Sequence, residues 1–272
     1  MKGLNKMLNE EQKQRAEKFF QDLQDRLMAR LEEVDGSSKA ERKSWERPGG
    51  GGGRMSVLRG EVVEKAGVNF SSVQGDEYPS IEEQYKGKPF TAMGTSTVTH
   101  MMNPYAPIGH MNVRMLQVGD DFWFGGGGDL TPCIEFEEDT KSFHAALKKA
   151  CDQYRPEAYD EYSKWCKEYF YIKHWKSERG VGGVFFDYVK GDFEEVFAFV
   201  QNVANAYVQV FPDILLKRRD TSYTEEEKEK QLRWRGRYAE FNLAYDRGTR
   251  FGLMTGGNPE AIFVSLPPVV KW

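Results

Sequence analysis

The sequence predicts one α+β domain in which helices cover a mainly antiparallel sheet. Strand-like segments follow one another with turn-rich connections between them, and helical segments are inserted between groups of strands. The 272 residues would suit one large domain or two small ones, but no internal repeat and no long linker marks a boundary. We therefore expect residues 1–272 to form a single domain, with residues 1–40 as an N-terminal helical region.

The first predicted element is an amphipathic helix from about Asn9 to Leu31. Its apolar residues recur at three- and four-residue steps, and Asn9 is a suitable N-cap. The run that starts at Gly36 ends the helix. The glycine-rich run Arg47–Arg54 then predicts a loop, and Met55–Arg59 predicts a short strand.

The rest of the chain alternates between strands and helices. Segments rich in β-branched and aromatic residues predict strands at Phe90–Met101, Met111–Val118, Phe122–Gly125, Gly183–Tyr188, Tyr238–Tyr245, Gly252–Met254 and Ala261–Leu266. Segments with helical spacing predict helices at Asp139–Tyr154, Pro156–Phe170, Asp192–Phe211 and Thr224–Arg235. The run Tyr245-Asp-Arg-Gly248 predicts a hairpin turn between two of these strands.

Composition limits the classes of function. The formal net charge of −4 gives no general argument for a nucleic-acid partner, and no apolar stretch approaches the roughly 18 residues of a transmembrane segment. The three cysteines, Cys133, Cys151 and Cys166, form neither a disulfide framework nor a CxxC metal pair, which fits a reducing compartment. Because the N-terminus also lacks the apolar run of a secretory signal, we expect a cytoplasmic protein.

Other patterns indicate function more weakly. Basic residues cluster at Lys217–Arg219 and Arg233–Arg237, where they predict either an ordinary solvated face or contacts to an anionic small molecule or a nucleic acid. The glycine loop Pro48–Arg54 lacks the Lys-Ser/Thr ending of a P-loop, so a flexible loop and a flap over a ligand are the competing interpretations. No GxSxG or Cys–His pattern favours a covalent hydrolase.

The stretch that begins at His110 carries the strongest indication of a site. A strand with His110 and Arg114 on one face leads into Trp123, Phe124, four glycines and a single acid, Asp129. Glycines let a bulky ligand approach the backbone, and a carboxylate in a cavity lined by those aromatics can pair with or deprotonate an NH group. Arg114 can bind a carboxylate through two hydrogen bonds. The competing interpretations are a turn cap for Asp129 and an exposed strand position for Arg114.

The chain has four histidines, His100, His110, His144 and His174. A metal site needs two or three of them to converge, and no HExxH or similar spacing supports that. The surroundings of His144 and His174 favour packed core histidines, whereas the neighbours of His110 favour a functional one.

From about Trp45 to Trp272 the chain resembles the oxygen-dependent coproporphyrinogen III oxidases of haem synthesis. The resemblance rests on many sequence blocks that occur in the family's order. They are Trp45-Glu-Arg-Pro-Gly-Gly-Gly-Gly-Gly-Arg-Met-Ser56, Glu64-Lys-Ala-Gly-Val-Asn-Phe-Ser71, Asn103-Pro-Tyr105, Phe124-Gly-Gly-Gly-Gly-Asp-Leu-Thr-Pro132, Arg179-Gly-Val-Gly-Gly183, Arg235-Gly-Arg-Tyr238, Glu240-Phe-Asn-Leu243, Asp246-Arg-Gly-Thr249 and Ser265-Leu-Pro-Pro268.

The resemblance implies a homodimer in which each subunit holds a large, flat antiparallel sheet between helices. It implies oxidative decarboxylation of two propionates of coproporphyrinogen III to vinyl groups, which gives protoporphyrinogen IX. Molecular oxygen is then the oxidant, and carbon dioxide and hydrogen peroxide are released. No organic cofactor is expected, and a divalent metal is a disputed requirement in the family.

The functional residues of the family carry over onto positions of this chain. Its proton donor falls on His110, its pyrrole-binding acid on Asp129 and its propionate-binding arginine on Arg114. Its substrate contacts fall on Ser96, Asn112, Val113, Arg114, Gly256, Gly257 and Asn258. The metal ligands suggested for the family fall on His100, His110, His144 and His174, which are all the histidines here.

These expectations combine into one chemical hypothesis. A porphyrinogen has four carboxylates and four NH groups, so its site needs aromatic walls, arginines at the rim and a central acid. Asp129 binds or deprotonates a pyrrole NH so that the ring reacts with oxygen, and a ring peroxide then removes a proton from the propionate β-carbon. His110 manages protons, and Arg114 orients the carboxylate. The alternatives are a metal-dependent oxygenase, a silent porphyrin carrier and, least favoured, a nucleic-acid-binding module.

Overall fold

The structure, a computed structural model, describes residues 7–79, 82–254 and 257–272, without the side chain of Phe251. The strands are β1 (Glu41–Glu46), β2 (Gly51–Leu58), β3 (Lys65–Gly75), β4 (Phe90–His100), β5 (Ile108–Val118), β6 (Asp121–Thr131), β7 (Tyr171–Ile172), β8 (Ser177–Glu178) and β9 (Gly182–Val189). The helices are α1 (Glu10–Asp35), α2 (Glu137–Asp152), α3 (Ala158–Tyr169), α4 (Phe193–Arg218), α5 (Glu225–Ala244), α6 (Arg247–Met254) and α7 (Pro259–Phe263).

A seven-stranded sheet forms the centre of the fold, with the order β1-β2-β3-β4-β5-β6-β9. All of its neighbouring strands are antiparallel. Strands β7 and β8 form a separate short hairpin. The predicted α+β class and antiparallel sheet are therefore confirmed.

Helices α1 and α4 cover one face of the sheet, which we call the core face. Alternate residues of β5, Met111, Val113 and Met115, point to this face and are fully buried with α1 and α4 side chains such as Phe20 and Phe197. Helix α2 packs on α4, and α3 packs along the edge strand β9. No helix in the described ranges is long and apolar enough to cross a membrane.

The opposite face, which we call the pocket face, is covered in part by α5 and the segments that follow it. Tyr238 of α5 is buried against Val98 and Ile108 of β4 and β5. The carbonyl of Ala261 in α7 accepts a hydrogen bond of 2.7 Å from the side-chain amide of Asn69 in β3. The C-terminal helices are thus anchored over the middle of the sheet.

Helix α1 begins as the sequence predicts and extends beyond the predicted end, Leu31, to Asp35. The side chain of Asn9 accepts a hydrogen bond of 2.8 Å from the backbone N–H of Gln12, and the Gln12 side chain accepts one of 3.1 Å from the Asn9 N–H. This reciprocal pair is a capping box. Gly36 ends the helix in the left-handed conformation, with φ 85°.

The three strands predicted near the C-terminus are wrong, because Tyr238–Tyr245, Gly252–Met254 and Ala261–Leu266 fall in or beside α5, α6 and α7. Helix α5 starts from a capping box at Thr224 and continues past Arg235 without a break. The buried residues in its second half recur at three- and four-residue steps, as expected for a helix. Over so few residues the apolar positions also fit the alternation of a short strand. The predicted hairpin turn at residues 245–248 is instead the junction of α5 and α6.

The glycine-rich run is a loop only at residues 47–50, because Gly51, Gly52 and Gly53 belong to β2. Glycine has no side chain, so the run contains no alternation that could indicate a strand. Pairing with both β1 and β3 fixes it in the sheet. Strands β1 and β3 are not predicted from the sequence, since β3 mixes glycine, serine and asparagine with its apolar residues.

Candidate active site

A row of polar side chains crosses the pocket face of the sheet. The antiparallel register sets Asn69 opposite Ser96, and Ser96 opposite Asn112. His110 lies two residues before Asn112, so its side chain points to the same face. His110 faces Asp129 directly across the pair formed by β5 and β6. The predicted site residues Ser96, His110, Asn112 and Asp129 are therefore brought together.

A mostly apolar cavity of about 520 Å³ lies over this row, and we call it the sheet pocket. Its floor is the pocket face of β3, β4 and β5, and its walls come from the turn after β1 and from α5–α7. The lining includes Trp45, Arg47, His110, Phe170, Arg179, Asp246 and Ile262. Small-molecule sites are typically concave and apolar, with a few convergent polar groups. A second depression of about 840 Å³, beyond the turn after β1, is more open and is lined by no histidine.

The pair of His110 and Asp129 is joined by Arg179 from the segment before β9. Nδ1 of His110 lies 2.7 Å from Oδ1 of Asp129, and Nη2 of Arg179 lies 2.5 Å from Oδ2. The Asp129 and Arg179 residues are only 2% and 3% exposed. Both carboxylate oxygens are thus occupied, and the carboxylate lies behind His110 and Arg179 rather than on the pocket wall.

Electrostatics keep Asp129 ionised. Burial alone would raise the pKa of its carboxyl group, but the charge of Arg179 and the bond from His110 outweigh burial and lower the pKa below its usual value. An ionised carboxylate can only accept, so the Nδ1 atom of His110 carries the hydrogen of their bond. Nε2 of His110 makes no hydrogen bond within the described part of the chain, and His110 lines the sheet pocket.

Two of the four glycines in β6 are required by close contacts. A Cβ atom on Gly127, whose φ is +147°, would lie 2.0 Å from the carbonyl oxygen of Val184 in β9. A Cβ atom on Gly125 would lie 2.5 Å from a carboxylate oxygen of Asp187 and 2.9 Å from the Arg114 guanidinium. The glycines therefore admit neighbouring backbone and a charged pair, and not only a ligand.

Arg114 lies on the same face of the sheet as His110, as predicted, but two residues beyond Asn112 and outside the lining of the sheet pocket. Its Nη2 lies 2.8 Å from Asp187, and its Nη1 donates to the side-chain oxygen of Asn112 at 2.8 Å. The side chain is 28% exposed. Arg114 thus holds Asn112 in place while its side chain stays partly exposed to solvent.

Several predicted positions differ in the structure. The predicted cavity walls Trp123 and Phe124 are wrong: Trp123 packs with Tyr85 in a separate cluster, and Phe124 points to the core face. Val113 also points to the core face and is fully buried, so its side chain cannot reach the pocket.

The C-terminal positions that the resemblance indicates lie at the rim of the pocket. Gly257 and Asn258 line it, and the Asn258 side chain caps α7 by accepting from the Glu260 N–H at 3.0 Å. Gly256 lies outside the described residues. Asn258 can therefore offer its side-chain amide N–H groups to a ligand, because its oxygen is used within α7.

His100 and His144 are packed histidines that each hydrogen-bond to a backbone carbonyl. His100 is fully buried, and its Nε2 donates to the carbonyl of Ser265 at 2.9 Å. Burial lowers the pKa of His100 to about 3. His144 donates from Nε2 to the carbonyl of Val181 at 3.0 Å and accepts from the Tyr159 hydroxyl at 2.7 Å, while burial lowers its pKa.

His174 lies outside the sheet pocket, where Glu240 and Tyr245 hold its two ring nitrogens at 2.6 and 2.9 Å. Its side chain is 41% exposed, so the prediction of a core histidine is wrong there. Across residues 7–79, 82–254 and 257–272 no group of three or more His, Cys, Asp or Glu side chains could hold a metal ion. The residues present therefore do not fit one metal site shared by the four histidines.

Two charged residues of the pocket, Arg179 and Asp246, have no functional role predicted from the sequence. Asp246 was placed in a hairpin turn, but it caps α6 by accepting from the Thr249 N–H at 2.7 Å, and it accepts from the Tyr169 hydroxyl at 3.0 Å. An aspartate just before a helix is a recognisable cap. No local pattern indicates Arg179, since its partner Asp129 lies 50 residues away.

The two basic clusters are largely used in internal ion pairs. Arg235 is 1% exposed and lies 2.6 Å from Glu64. Arg218 pairs with Asp139 at 2.6 Å. These contacts favour a structural role for the clusters over a solvated face that could bind nucleic acid.

Comparison with known proteins shows the family to which the chain is similar. A family model described as coproporphyrinogen III oxidase matches residues 15–272. The oxygen-dependent coproporphyrinogen-III oxidase of Rickettsia bellii (strain OSU 85-389) is 47% identical over 282 residues, which cover 97% of this chain and all of that protein. The enzyme of the same name from Rickettsia akari (strain Hartford) is 46% identical over 276 residues, which cover 96% of this chain and 99% of that protein.

Proposed function

This chain belongs to the coproporphyrinogen III oxidase family, and we propose that its sheet pocket is the place where the propionates of coproporphyrinogen III react. The enzyme is an oxygen-dependent oxidoreductase of haem biosynthesis that converts two propionates to vinyl groups and gives protoporphyrinogen IX. One observation carries the proposed location: His110, backed by the buried Asp129, presents a free Nε2 in an apolar cavity.

The proposed chemistry starts with Nε2 of His110 taking the proton of a pyrrole NH. The electron-rich ring then adds molecular oxygen, and the ring peroxide removes a proton from the β-carbon of a propionate. Hydroperoxide leaves, and the electrons of the breaking bond to carbon dioxide restore the pyrrole, which recovers its proton from His110. A proton from solvent converts hydroperoxide to hydrogen peroxide. Each propionate thus consumes one oxygen molecule and one proton.

Asp129 supports this cycle without touching the substrate. Its carboxylate accepts the Nδ1–H of His110 and stabilises the imidazolium that forms when Nε2 is protonated. The direct contact between Asp129 and a pyrrole NH, which the resemblance implies, is less favoured because both carboxylate oxygens already have partners. We therefore propose His110 as the group that acts on the pyrrole and Asp129 as its positioning residue.

Substrate binding is proposed to use the polar row and the rim of the pocket. Ser96 and Asn112 offer hydroxyl and amide groups on the floor, and Arg114 beside them can bind a propionate. Asn258 lines the pocket at the start of α7. Arg47, on the turn after β1, adds a second cation where a ring with four carboxylates would leave the cavity.

We propose that molecular oxygen is the sole further reactant and that the enzyme needs no organic cofactor or metal. We also propose a cytoplasmic homodimer, as the family resemblance implies. Large apolar side chains are exposed at the ends of α5 and α6, 53% for Leu243 and 83% for Met254, which is consistent with a covered surface there. Sedimentation or light scattering of the purified chain tests the dimer directly.

The test of the function is anaerobic mixing of chelator-treated enzyme with coproporphyrinogen III, followed by oxygen and chromatography of the oxidised products. We expect protoporphyrin to form only after oxygen is admitted. A His110→Asn variant separates the proposed site from the activity of the chain, because it should bind the substrate and fail to convert it. Full conversion by that variant would place the chemistry elsewhere.

A further inference from the structure

We propose that Arg179 is a positioning residue that acts through Asp129 and fixes the tautomer of His110. The inference rests on the proposed role of His110. In this arrangement Arg179 keeps Asp129 ionised, Asp129 holds the hydrogen of His110 on Nδ1, and Nε2 is left as a free base toward the substrate. No contact between Arg179 and the reacting atoms is needed.

The first support is the setting of the Arg179 guanidinium. It lies 3.9 Å from the ring centre of Phe170, 4.7 Å from that of Tyr238 and 4.9 Å from that of Phe241. Three aromatic rings around one buried cation stabilise it electrostatically and fix its position. The planar guanidinium is therefore held so that one of its N–H groups meets Asp129.

The second support is how few other partners Arg179 has. Its Nη1 lies 3.5 Å from the side-chain oxygen of Asn242, at the limit of a hydrogen bond, and its buried Nε has no partner within the described residues. The 2.5 Å bond to Asp129 is the strong polar contact of this side chain. A buried arginine with one dominant partner acts mainly through that partner.

The third support is the effect that the loss of this charge has on the hydrogen bond. A buried carboxylate with no cation nearby takes up a proton. A protonated Asp129 can donate to Nδ1 of His110 instead of accepting from it, and the ring hydrogen then moves to Nε2. An Nε2–H group cannot take a proton from a pyrrole. The cation of Arg179 thus decides which nitrogen of His110 faces the pocket with its lone pair.

Direct binding of a substrate carboxylate by Arg179 is the rival explanation, since Arg179 also lines the sheet pocket. That role would be expressed in KM, because it concerns ground-state binding. A purely structural role would lower the amount of folded protein and leave the tautomer of His110 in the folded fraction unchanged. The proposed role is expressed in kcat and in the tautomer.

The experiment combines kinetics with ¹⁵N NMR of enzyme labelled at histidine. The chain has four histidines, and the carbonyl partners of His100 and His144 require Nε2–H in both. A His110→Asn spectrum assigns the remaining resonances. In the unaltered enzyme we expect His110 as the Nδ1–H tautomer. In Arg179→Met we expect the Nε2–H form to appear, with kcat lower by about 100-fold and KM within about threefold.

A double-mutant cycle tests the path through Asp129. In an Asp129→Asn background, Arg179→Met should lower kcat by less than about threefold, because the carboxylate through which it acts is already gone. Arg179→Lys keeps the charge and should retain the Nδ1–H tautomer. The matched control is Arg218→Met, which removes an arginine that pairs with Asp139 and stacks 3.5 Å from the ring centre of Phe136.

Three results would overturn the proposal: an unchanged His110 tautomer in Arg179→Met, a change in KM alone, or full additivity with Asp129→Asn. If Arg179→Met does not fold, Arg179→Gln supplies the same comparison, because its amide N–H can still donate to Asp129 while the charge is gone, and an unchanged His110 tautomer in that variant would overturn the proposal as well. If the unaltered enzyme fails to convert coproporphyrinogen III while His110 is an Nδ1–H tautomer, the proposed function fails and the proposed effect of Arg179 on His110 stands.

Discussion

Nδ1 of His110 and Oδ1 of Asp129 lie 2.7 Å apart because the two residues face each other across one antiparallel hairpin. His110 lies as many residues before Val118 as Asp129 lies after Asp121, and Val118 pairs with Asp121 at the turn. A two-residue turn therefore sets the register of the pair. The geometry of this pair is therefore set by two paired strands rather than by loops.

The Asp129→Asn substitution tests this pair. An asparagine of the same shape can donate to Nδ1 of His110, so we expect the ring hydrogen to move to Nε2. Because Nε2 can then no longer take a proton, kcat should fall by about 10²–10⁴-fold. KM should change little, because the side chain lies behind His110. Steady-state conversion of coproporphyrinogen III measures both constants.

The control for that substitution is Asp121→Asn at the other end of the same strand, where the carboxylate contacts Lys190. It removes one carboxylate from β6 and leaves the pocket unchanged. Equal losses of kcat in the two variants would mean that β6 is sensitive to any change of charge, and would contradict a specific role for Asp129.

Local sequence pattern predicts the central hairpin but not the whole site. Alternation of side chains identifies β5 and places His110 and Arg114 on one face. The predicted second strand ends at Gly125, whereas β6 continues to Thr131 and brings Asp129 opposite His110. Arg179 approaches from a segment 50 residues after Asp129, and its position depends on rings from two separate parts of the fold, Phe170 after α3 and Tyr238 and Phe241 in α5. No local pattern encodes such a long-range contact.

The C-terminal wall of the pocket shows that short apolar runs do not distinguish a strand from a helix. Residues 238–245 alternate in a way that fits a short strand, yet they continue α5, since the capping box at Thr224 starts a helix that nothing interrupts. Short apolar runs fit both periods, and tertiary contacts decide between them. In this segment the helix is favoured because it lets Tyr238 pack on Val98 and Ile108 of the sheet.

Arg47 is expected to bind a carboxylate of the substrate at the rim. Its Nη1 donates to the carbonyl of Gln74 at 3.0 Å, and the side chain lines the sheet pocket. In Arg47→Ala we expect KM to rise by about tenfold with kcat within about twofold, because a rim contact contributes to binding before the reaction. The KM of Arg47→Lys should lie between that of the unaltered enzyme and that of Arg47→Ala.

The control for Arg47 is Arg42→Ala, which removes an exposed arginine from the neighbouring strand β1 and outside the pocket. It should leave KM unchanged at moderate salt. If Arg42→Ala raises KM as much as Arg47→Ala, general attraction of an anionic substrate explains the effect, and the specific contact is rejected.

Removal of metal is expected to leave turnover unchanged. The four histidines have separate partners, and His174 is held by Glu240 and Tyr245 outside the pocket. Chelator-treated enzyme should therefore convert coproporphyrinogen III at its original rate, and His174→Gln should be as active as the unaltered chain. Activity that is lost on chelation and restored by one divalent metal would contradict the proposed metal-free chemistry.

The Gly127→Ala substitution is expected to destabilise the sheet strongly. A methyl group there would lie 2.0 Å from the Val184 carbonyl oxygen, so β6 and β9 would have to separate. We expect a loss of several kcal/mol in the free energy of unfolding, measured by urea denaturation. The control is Gly36→Ala, which also has positive φ but open space around it, and which should cost about 1 kcal/mol. Equal losses would show that backbone strain alone matters.

Asp35 joins the end of α1 to the turn between β2 and β3. One of its carboxylate oxygens accepts the N–H groups of Val62 and Val63 at 3.0 and 2.9 Å, and the other accepts the N–H of Ser38 at 2.9 Å. Burial would raise the pKa of this carboxyl group, but the three backbone donors lower it from 3.8 to about 2. The ionised Asp35 carboxylate is thus more stable in the folded state than in the unfolded state.

This carboxylate is expected to make part of the stability depend on acid pH. Because the pKa is lower in the folded state, the stabilising contribution is fully present above the unfolded pKa, near 4, and is lost as the pH falls toward about 2. Asp35→Asn should lower the free energy of unfolding by about 2 kcal/mol at pH 7, and the difference from the unaltered protein should shrink below pH 4. Urea denaturation at several pH values measures this difference, with Asp22→Asn on the exposed side of α1 as the control. A difference that stays constant from pH 7 to pH 3 would contradict the linkage.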